Sequence, residues 1–144
     1  MRIFVQRVHS ASVKANGETV SSIGKGLMLL VGITHEDTGE KLEWAARRIA
    51  RMRIFRDENG KLNRSVIDEG GEILVVSNFT LYGNCMHGAR PDFSKAANRE
   101  TAYPLYEKLI NLLNTYVPTQ RGAFGERMEL DIKSDGPVCL IMEF

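Results

Sequence analysis

Hydrophobic positions along the chain follow two periods, about 2 and about 3.6 residues, and the switches between them outline the elements. Val13 to Val20 places β-compatible residues on both sides of Asn16-Gly17. A tight two-residue turn needs positive φ angles, which Asn and Gly tolerate, so this segment predicts a hairpin. Gly24 and Gly26 close it, and Leu27 to Ile33 reads as a buried strand. Asp37 with Glu40 three residues on has the form of a capping box, and Leu42, Ala45, Ala46 and Ile49 then recur on one helix face. Asn59-Gly60 and Gly70-Gly71 mark turns before the apolar strand Ile73 to Ser77, which ends in the polar Asn78. Tyr106, Leu109, Ile110, Leu113 and Val117, widened by Leu105 and Leu112, form the stripe of a second helix, with Pro104 expected near its first turn or at a kink. Met128, Leu130 and Ile132 alternate with Glu129 and Asp131, and Ser134-Asp135-Gly136-Pro137 is expected to turn the chain into a last strand, Val138 to Phe144. The sum predicts an α+β fold with a mostly antiparallel sheet and two main helices.

The 144 residues contain no repeat, linker or shift in composition, so residues 1–144 are expected to form a single domain. The longest apolar run, Leu27 to Val31, is far short of the ~20 residues of a membrane span. A charge interrupts the apolar start Met1-Arg2-Ile3-Phe4-Val5, and no signal peptide is read there, which makes the cytoplasm the expected compartment. Cys85 and Cys139 lie far apart without a Cys-x-x-Cys pair and are expected to be free thiols. Net charge is only +1, so bulk attraction to nucleic acid or to an anionic membrane is not indicated. The basic residues are nevertheless concentrated. Arg47, Arg48, Arg51, Arg53, Arg56, Lys61 and Arg64 stand against only Asp57 and Glu58. Because Glu36, Asp37, Glu40 and Glu43 precede the run, acids at a helix start and bases at its end satisfy the helix dipole; a phosphate-facing role is the alternative.

Tyr82 to Asn98 lacks periodicity, and aperiodic stretches this long in a compact domain are often functional. The usual catalytic signatures are missing. There is no Gly-x-Ser-x-Gly elbow, no Gly-x-x-x-x-Gly-Lys phosphate loop and no His-Glu-x-x-His pair; His9, His35 and His87 are scattered, and neither a metal nor a cofactor is expected. Ser22-Ile23-Gly24-Lys25 falls in a glycine turn rather than at a helix start, which argues against a Ser-Lys nucleophile. Cys85 and His87 are two residues apart, a spacing that rarely aims two loop side chains at one another. What remains is Ser77-Asn78-Phe79-Thr80, where hydroxyls, an amide and backbone N–H groups meet at a strand end. Such groups suit a developing oxyanion, or simply satisfy the strand terminus. Gly136-Pro137 is the second unusual element, since X-Pro bonds are the common cis peptides and a cis bond would present two flanking carbonyls together.

Several separated segments together resemble the D-aminoacyl-tRNA deacylases. They are Gln6-Arg7-Val8 with Ala11-Ser12-Val13, Gly24-x-Gly26-Leu27, Val76-Ser77-Asn78-Phe79-Thr80-Leu81, Gly88-x-Arg90-Pro91-x-Phe93-Ser94-Lys95, Leu105-Tyr106 and Asp135-Gly136-Pro137-Val138. The resemblance implies a barrel-like, homodimeric domain that hydrolyses the ester joining a D-amino acid, or the achiral glycine, to the terminal adenosine of tRNA. By that likeness Ser77, Asn78, Phe79 and Thr80 line the catalytic pocket, with N–H groups near Phe79 on the ester carbonyl and the RNA 2′-hydroxyl assisting the water. Gly136, Pro137 and Val138 would enter the partner subunit's site and reject L-amino acids, with Arg7 holding their turn. Gly88, Arg90, Pro91 and Phe93 would lie in a loop near the site. The family most often has Gln where this chain has Asn78, and Thr where it has Cys139. Three other readings compete. One is a nucleic-acid-binding module without catalysis that uses Arg47, Arg48, Arg51 and Arg53; another is a deacylase of changed preference; the third is a Cys85-His87 thiol hydrolase.

Overall fold

The computed structural model describes residues 1–144. Strand β1 (Arg2–Ala15) turns through Asn16 and Gly17, whose φ angles of 53° and 82° are those a tight hairpin demands, into β2 (Glu18–Ile23). Then follow β3 (Gly26–Gly32), helix α1 (Gly39–Ala50), the short ribbon β4 (Phe55–Arg56) and β5 (Leu62–Arg64), and β6 (Glu72–Ser77). Helix α2 (Arg99–Asn114), β7 (Thr119–Arg121) and β8 (Met128–Glu143) complete the chain. One edge of β1 carries β3 along residues 2–8 and β2 along residues 11–15, while the other edge carries β8 along nearly its whole length, all antiparallel. β6 joins β3, and β7 joins β6, in parallel, so the sheet is antiparallel around β1 and parallel beyond it. The Ser21 hydroxyl donates to the Arg121 carbonyl at 2.7 Å, which ties β2 to β7 and curls the sheet into a nearly closed barrel.

Alternation along the inner strands fills both faces. Leu27, Leu29 and Val31 with Ile73 and Val75 pack against Leu42, Ala45 and Ile49 of α1 and Tyr106, Leu109 and Leu113 of α2. Met28, Leu74 and Val76 point the other way, to Val8, Ala11, Val13 and Ile23. Strands covered on both sides read as continuous apolar runs, which is why these two were visible in the sequence. The two helix stripes are buried as expected. Pro104 sits in the second turn of α2, and the helix continues to Asn114; Asn98 caps it by accepting the Thr101 N–H at 3.0 Å.

Two expectations are corrected. Asp37 does not cap α1, whose first residue follows Thr38. Its carboxylate is buried and accepts the Met1 ammonium at 2.5 Å and the Thr34 N–H at 2.8 Å, because a buried cation outbids a helix end that water can reach. Nor do Ser134 to Pro137 reverse the chain. β8 runs straight through, and its register jumps: Ser134 pairs with Val8 and Cys139 with Gln6, so Asp135, Gly136, Pro137 and Val138 stand opposite the single residue Arg7. The extra residues arch away from the ladder, an enlarged form of a strand bulge.

Candidate active site

The site begins where β6 ends. The Asn78 N–H donates to the Val31 carbonyl at 2.8 Å, the last rung between β3 and β6, and the chain then tightens into a 3₁₀ turn, Phe79–Tyr82. Asn78 caps it: its Oδ1 accepts the Thr80 N–H at 3.1 Å and also the Thr80 hydroxyl. The Leu81 N–H reaches the Asn78 carbonyl at 3.4 Å. Helix starts leave their first N–H groups without an acceptor. With those of Thr80 and Leu81 taken, the Phe79 N–H remains to receive an oxygen from outside.

The turn is held from behind. Arg2 Nη1 donates to the Leu81 carbonyl at 2.6 Å, Nη2 pairs with Glu143 at 2.6 Å, and the guanidinium lies 5.0 Å from the Tyr82 ring centroid. Burial pushes the Tyr82 hydroxyl above its ordinary pKa, so it stays neutral. A Cβ on Gly32 would lie 3.1 Å from the Asn78 carbonyl oxygen and 3.2 Å from the Tyr82 ring, so β3 approaches the turn as closely as it does because position 32 is glycine.

Beside the turn opens a cavity of about 470 Å³, lined mainly by apolar groups, among them Leu30, Ile33, Val76, Ala102, Phe124 and Met128. Its polar lining is Ser77, Asn78, Arg99 and Glu126, and no histidine reaches it. Tyr106 is fully buried, and desolvation raises its pKa well above the usual phenol value, so the hydroxyl stays protonated and donates a hydrogen bond to the Val75 carbonyl at 2.8 Å. Arg99 lies over the Phe124 ring at 5.6 Å. Arg99, Phe124, Glu126 and Met128 were missed by the sequence reading. Gly122 and Gly125, which bracket Phe124 in an aperiodic stretch, were the available signal: Gly125 has φ +78°, and a Cβ there would strike the Arg99 guanidinium.

Of the expected residues, Ser77, Asn78 and Phe79 line the cavity. Thr80 is exposed and does not. Phe93 packs edge-on against Phe79, ring centroids 5.1 Å apart, and so brings the long loop to the site. Gly88, Arg90 and Pro91 do not reach the lining; they sit exposed at the tip, beyond the mutual Asn84–Asp92 backbone bonds of 2.9 Å that pinch the loop. Cys85 and His87 are exposed and make no hydrogen bond to each other.

The arch is built separately. The Gly136–Pro137 bond is cis, both residues are exposed, Val138 is half-buried, and none of the three lines the cavity. Arg7 anchors it. Its side chain is only 4% exposed; Nη1 donates to the Ile54 carbonyl, Nε lies 2.9 Å from Asp135 Oδ2 as an ion pair without hydrogen-bond alignment, and Nη2 lies 3.4 Å from Oδ1. Phe55 stacks under the guanidinium at 5.8 Å, and His9 Nε2 is 3.6 Å from the same carboxylate.

No three His, Cys, Asp or Glu side chains gather as a metal site, and no helix is long and apolar enough to cross a membrane. Residues 4–143 match the protein family described as D-Tyr-tRNA(Tyr) deacylase. The chain is 54% identical over 145 residues to a D-aminoacyl-tRNA deacylase of Brevibacillus brevis, covering 99% of both chains. It is 51% identical to a protein of the same name from a Geobacillus species, covering 99% of this chain and 95% of the other. A solved structure, the c-Myc DNA Unwinding Element Binding Protein, superposes with a TM-score of 0.93 at 42% identity, covering 100% of this chain and 99% of that one.

Proposed function

The chain belongs to the D-Tyr-tRNA(Tyr) deacylase family, and on that premise we propose that it hydrolyses the ester of D-aminoacyl-tRNA, and of mischarged glycyl-tRNA, releasing the amino acid and free tRNA. The observation that carries this is the capped turn at the cavity wall, which leaves the Phe79 N–H free beside an apolar pocket without a histidine base. The aminoacylated adenosine enters the cavity with its ester carbonyl oxygen on that N–H. Water adds to the carbonyl carbon, charge collects on the oxygen, and the tetrahedral intermediate collapses by expelling the ribose 3′-oxygen, which takes up the proton. A single positioned donor to such an oxygen is worth about 10²–10³ in rate. The neighbouring 2′-hydroxyl of the RNA relays the water's proton, so the protein need not supply a base. Asn78 serves the reaction by holding the turn, and its backbone-centred task is compatible with Asn in place of the family's usual Gln.

Chiral selection belongs to the Gly136-Pro137 arch with Val138, held by Arg7. The arch is absent from the cavity of its own chain, while β8 keeps one edge unpaired and exposes Leu130, Leu140 and Ile141. Long open edges are usually covered. A second copy docked there brings its arch over this chain's cavity, so each site of a homodimer is completed by the partner. The arch fills the space an L side chain would need, and glycine, having none, passes. Such an enzyme works where tRNA is charged, in the cytoplasm.

The test is hydrolysis of D-tyrosyl-tRNA and L-tyrosyl-tRNA by the purified protein with a chelator present. Rapid loss of only the D ester is expected. Loss of both esters would remove the chiral filter from the proposal, and loss of neither would leave a nucleic-acid-binding module.

A further inference from the structure

The basic run that the deacylation chemistry does not use forms a definite surface. Arg47, Arg48, Arg51 and Arg53 are all exposed and frame a concavity of about 620 Å³ together with Trp44 and Met142. None of the four takes part in an ion pair, although Arg2, Arg7, Arg64 and Arg121 each do. Arg53 has one partner, the Asn63 amide oxygen at 3.3 Å. The end of α1 accounts for some positive charge there. It does not account for this arrangement, since Arg47 and Arg51 are spaced i, i+4 and Arg48 and Arg51 i, i+3, where like charges repel. Trp44 is 45% exposed, with the Arg48 guanidinium 5.8 Å from its ring centroid, a pairing of aromatic face and cation suited to nucleic acid.

Location supplies the second argument. Ile54, the residue after Arg53, gives its carbonyl to Arg7, whose other face holds Asp135 at the foot of the arch. The backbone that follows Arg53 is therefore tied through Arg7 to the foot of the arch on the same chain.

We infer that Arg47, Arg48, Arg51 and Arg53 bind backbone phosphates of the RNA whose aminoacylated end is in the cavity the arch closes. This rests on the function proposed above: the arch sits over a terminal adenosine, and the phosphates that precede that nucleotide pass over the adjoining arginines. In the dimer, one protomer's cavity holds the amino acid while its partner's helix end holds the backbone.

The variant Arg48→Gln/Arg51→Gln keeps helix propensity and removes two charges. Its kcat/KM is measured across a salt series on D-tyrosyl-tRNA and on the D-tyrosyl ester of adenosine, which has no phosphate. On the tRNA ester a fall of roughly tenfold at low salt is expected, with the log–log salt slope reduced by about 1.5, because each lost phosphate contact removes about 0.7–0.9. On the nucleoside ester the rate should stay within about twofold, and Arg48→Lys/Arg51→Lys should recover most of the tRNA rate, since a phosphate accepts either cation. Equal rates for parent and variant on tRNA, or equal losses on both esters, would overturn the inference. Should the parent cleave neither ester, the function proposal fails alone; binding of uncharged tRNA by parent and variant, with the same slope comparison, then decides the surface.

Discussion

Replacing Asp135 with Asn removes the charge that faces Arg7 while preserving size. Breaking a buried ion pair from one side leaves an uncompensated charge and costs about 3–5 kcal/mol when both partners are fully buried. Here Arg7 is 4% exposed but Asp135 is 25% exposed, and Arg7 keeps the Ile54 carbonyl. An Asn oxygen can still accept from Nη2, so the expected loss is about 2 kcal/mol. That loss falls on the arch, whose four residues stand opposite Arg7 alone. Two kcal/mol multiplies the displaced population roughly thirtyfold. The cavity residues are untouched, so kcat/KM on D-tyrosyl-tRNA should hold within about threefold, while turnover of L-tyrosyl-tRNA rises by up to about thirtyfold. Urea unfolding reads the stability and paired D and L assays read the filter. A lowered urea midpoint with an unchanged D-to-L ratio would refute the arch as filter, and an unchanged midpoint would refute the assigned strength of the pair.

Thr80→Val should retain activity within about fivefold on D-tyrosyl-tRNA, because the hydroxyl donates to Asn78 and lies off the cavity; a nucleophile would lose at least about 10⁴. Glu126→Gln separates a backbone-centred mechanism from a general base, since Glu126 is the one carboxylate on the lining: the expected change is below about threefold, whereas loss of a base would cost about 10²–10⁴. Glu69 is held below the ordinary carboxylate range, by Lys25 first and Arg64 second. A depressed folded pKa contributes stability above the unfolded value of about 4.3 and loses it as pH falls through the folded one, so the Tm gap between the parent and Glu69→Gln should be open at pH 7 and close below about pH 4.

Legibility in the sequence followed the physical range of each signal. Asn16-Gly17 and the stripe Leu42, Ala45, Ala46 and Ile49 are local, and each determined its element without help from distant residues. Asp37 was misjudged because its partner, the Met1 ammonium, lies 36 positions away, and local spacing cannot weigh a charge that arrives through the fold. Ser134 to Pro137 carried every mark of a turn, yet pairing with β1 on both sides keeps the chain running forward, so tertiary register overrode turn chemistry. Ser77, Asn78 and Phe79, which line the cavity, stood out in the sequence because a polar strand end is itself a local anomaly. Arg99 begins α2 while Phe124 and Glu126 lie in the segment between β7 and β8, and only the folded cavity joins them.

The capped turn and the arch share one frame. Arg2 and Arg7 lie five positions apart on β1, an odd spacing that sends neighbouring strand side chains to opposite faces. Arg2 reaches the Leu81 carbonyl and fixes the turn that presents the Phe79 N–H; Arg7 reaches Asp135 and fixes the arch. β8 runs antiparallel along the same strand and supplies both the arch and, at Glu143, the second partner of Arg2. The turn proposed to bind the ester oxygen and the arch proposed as the chiral filter are thus set by one pair of strands. A one-residue slip of β8 along β1 would displace Glu143 from Arg2 and Asp135 from Arg7 at once. The apolar contacts of Val138 and Met142 with the core, which fix which residues of β8 face inward, therefore hold the arch and Glu143 in register with Arg7 and Arg2.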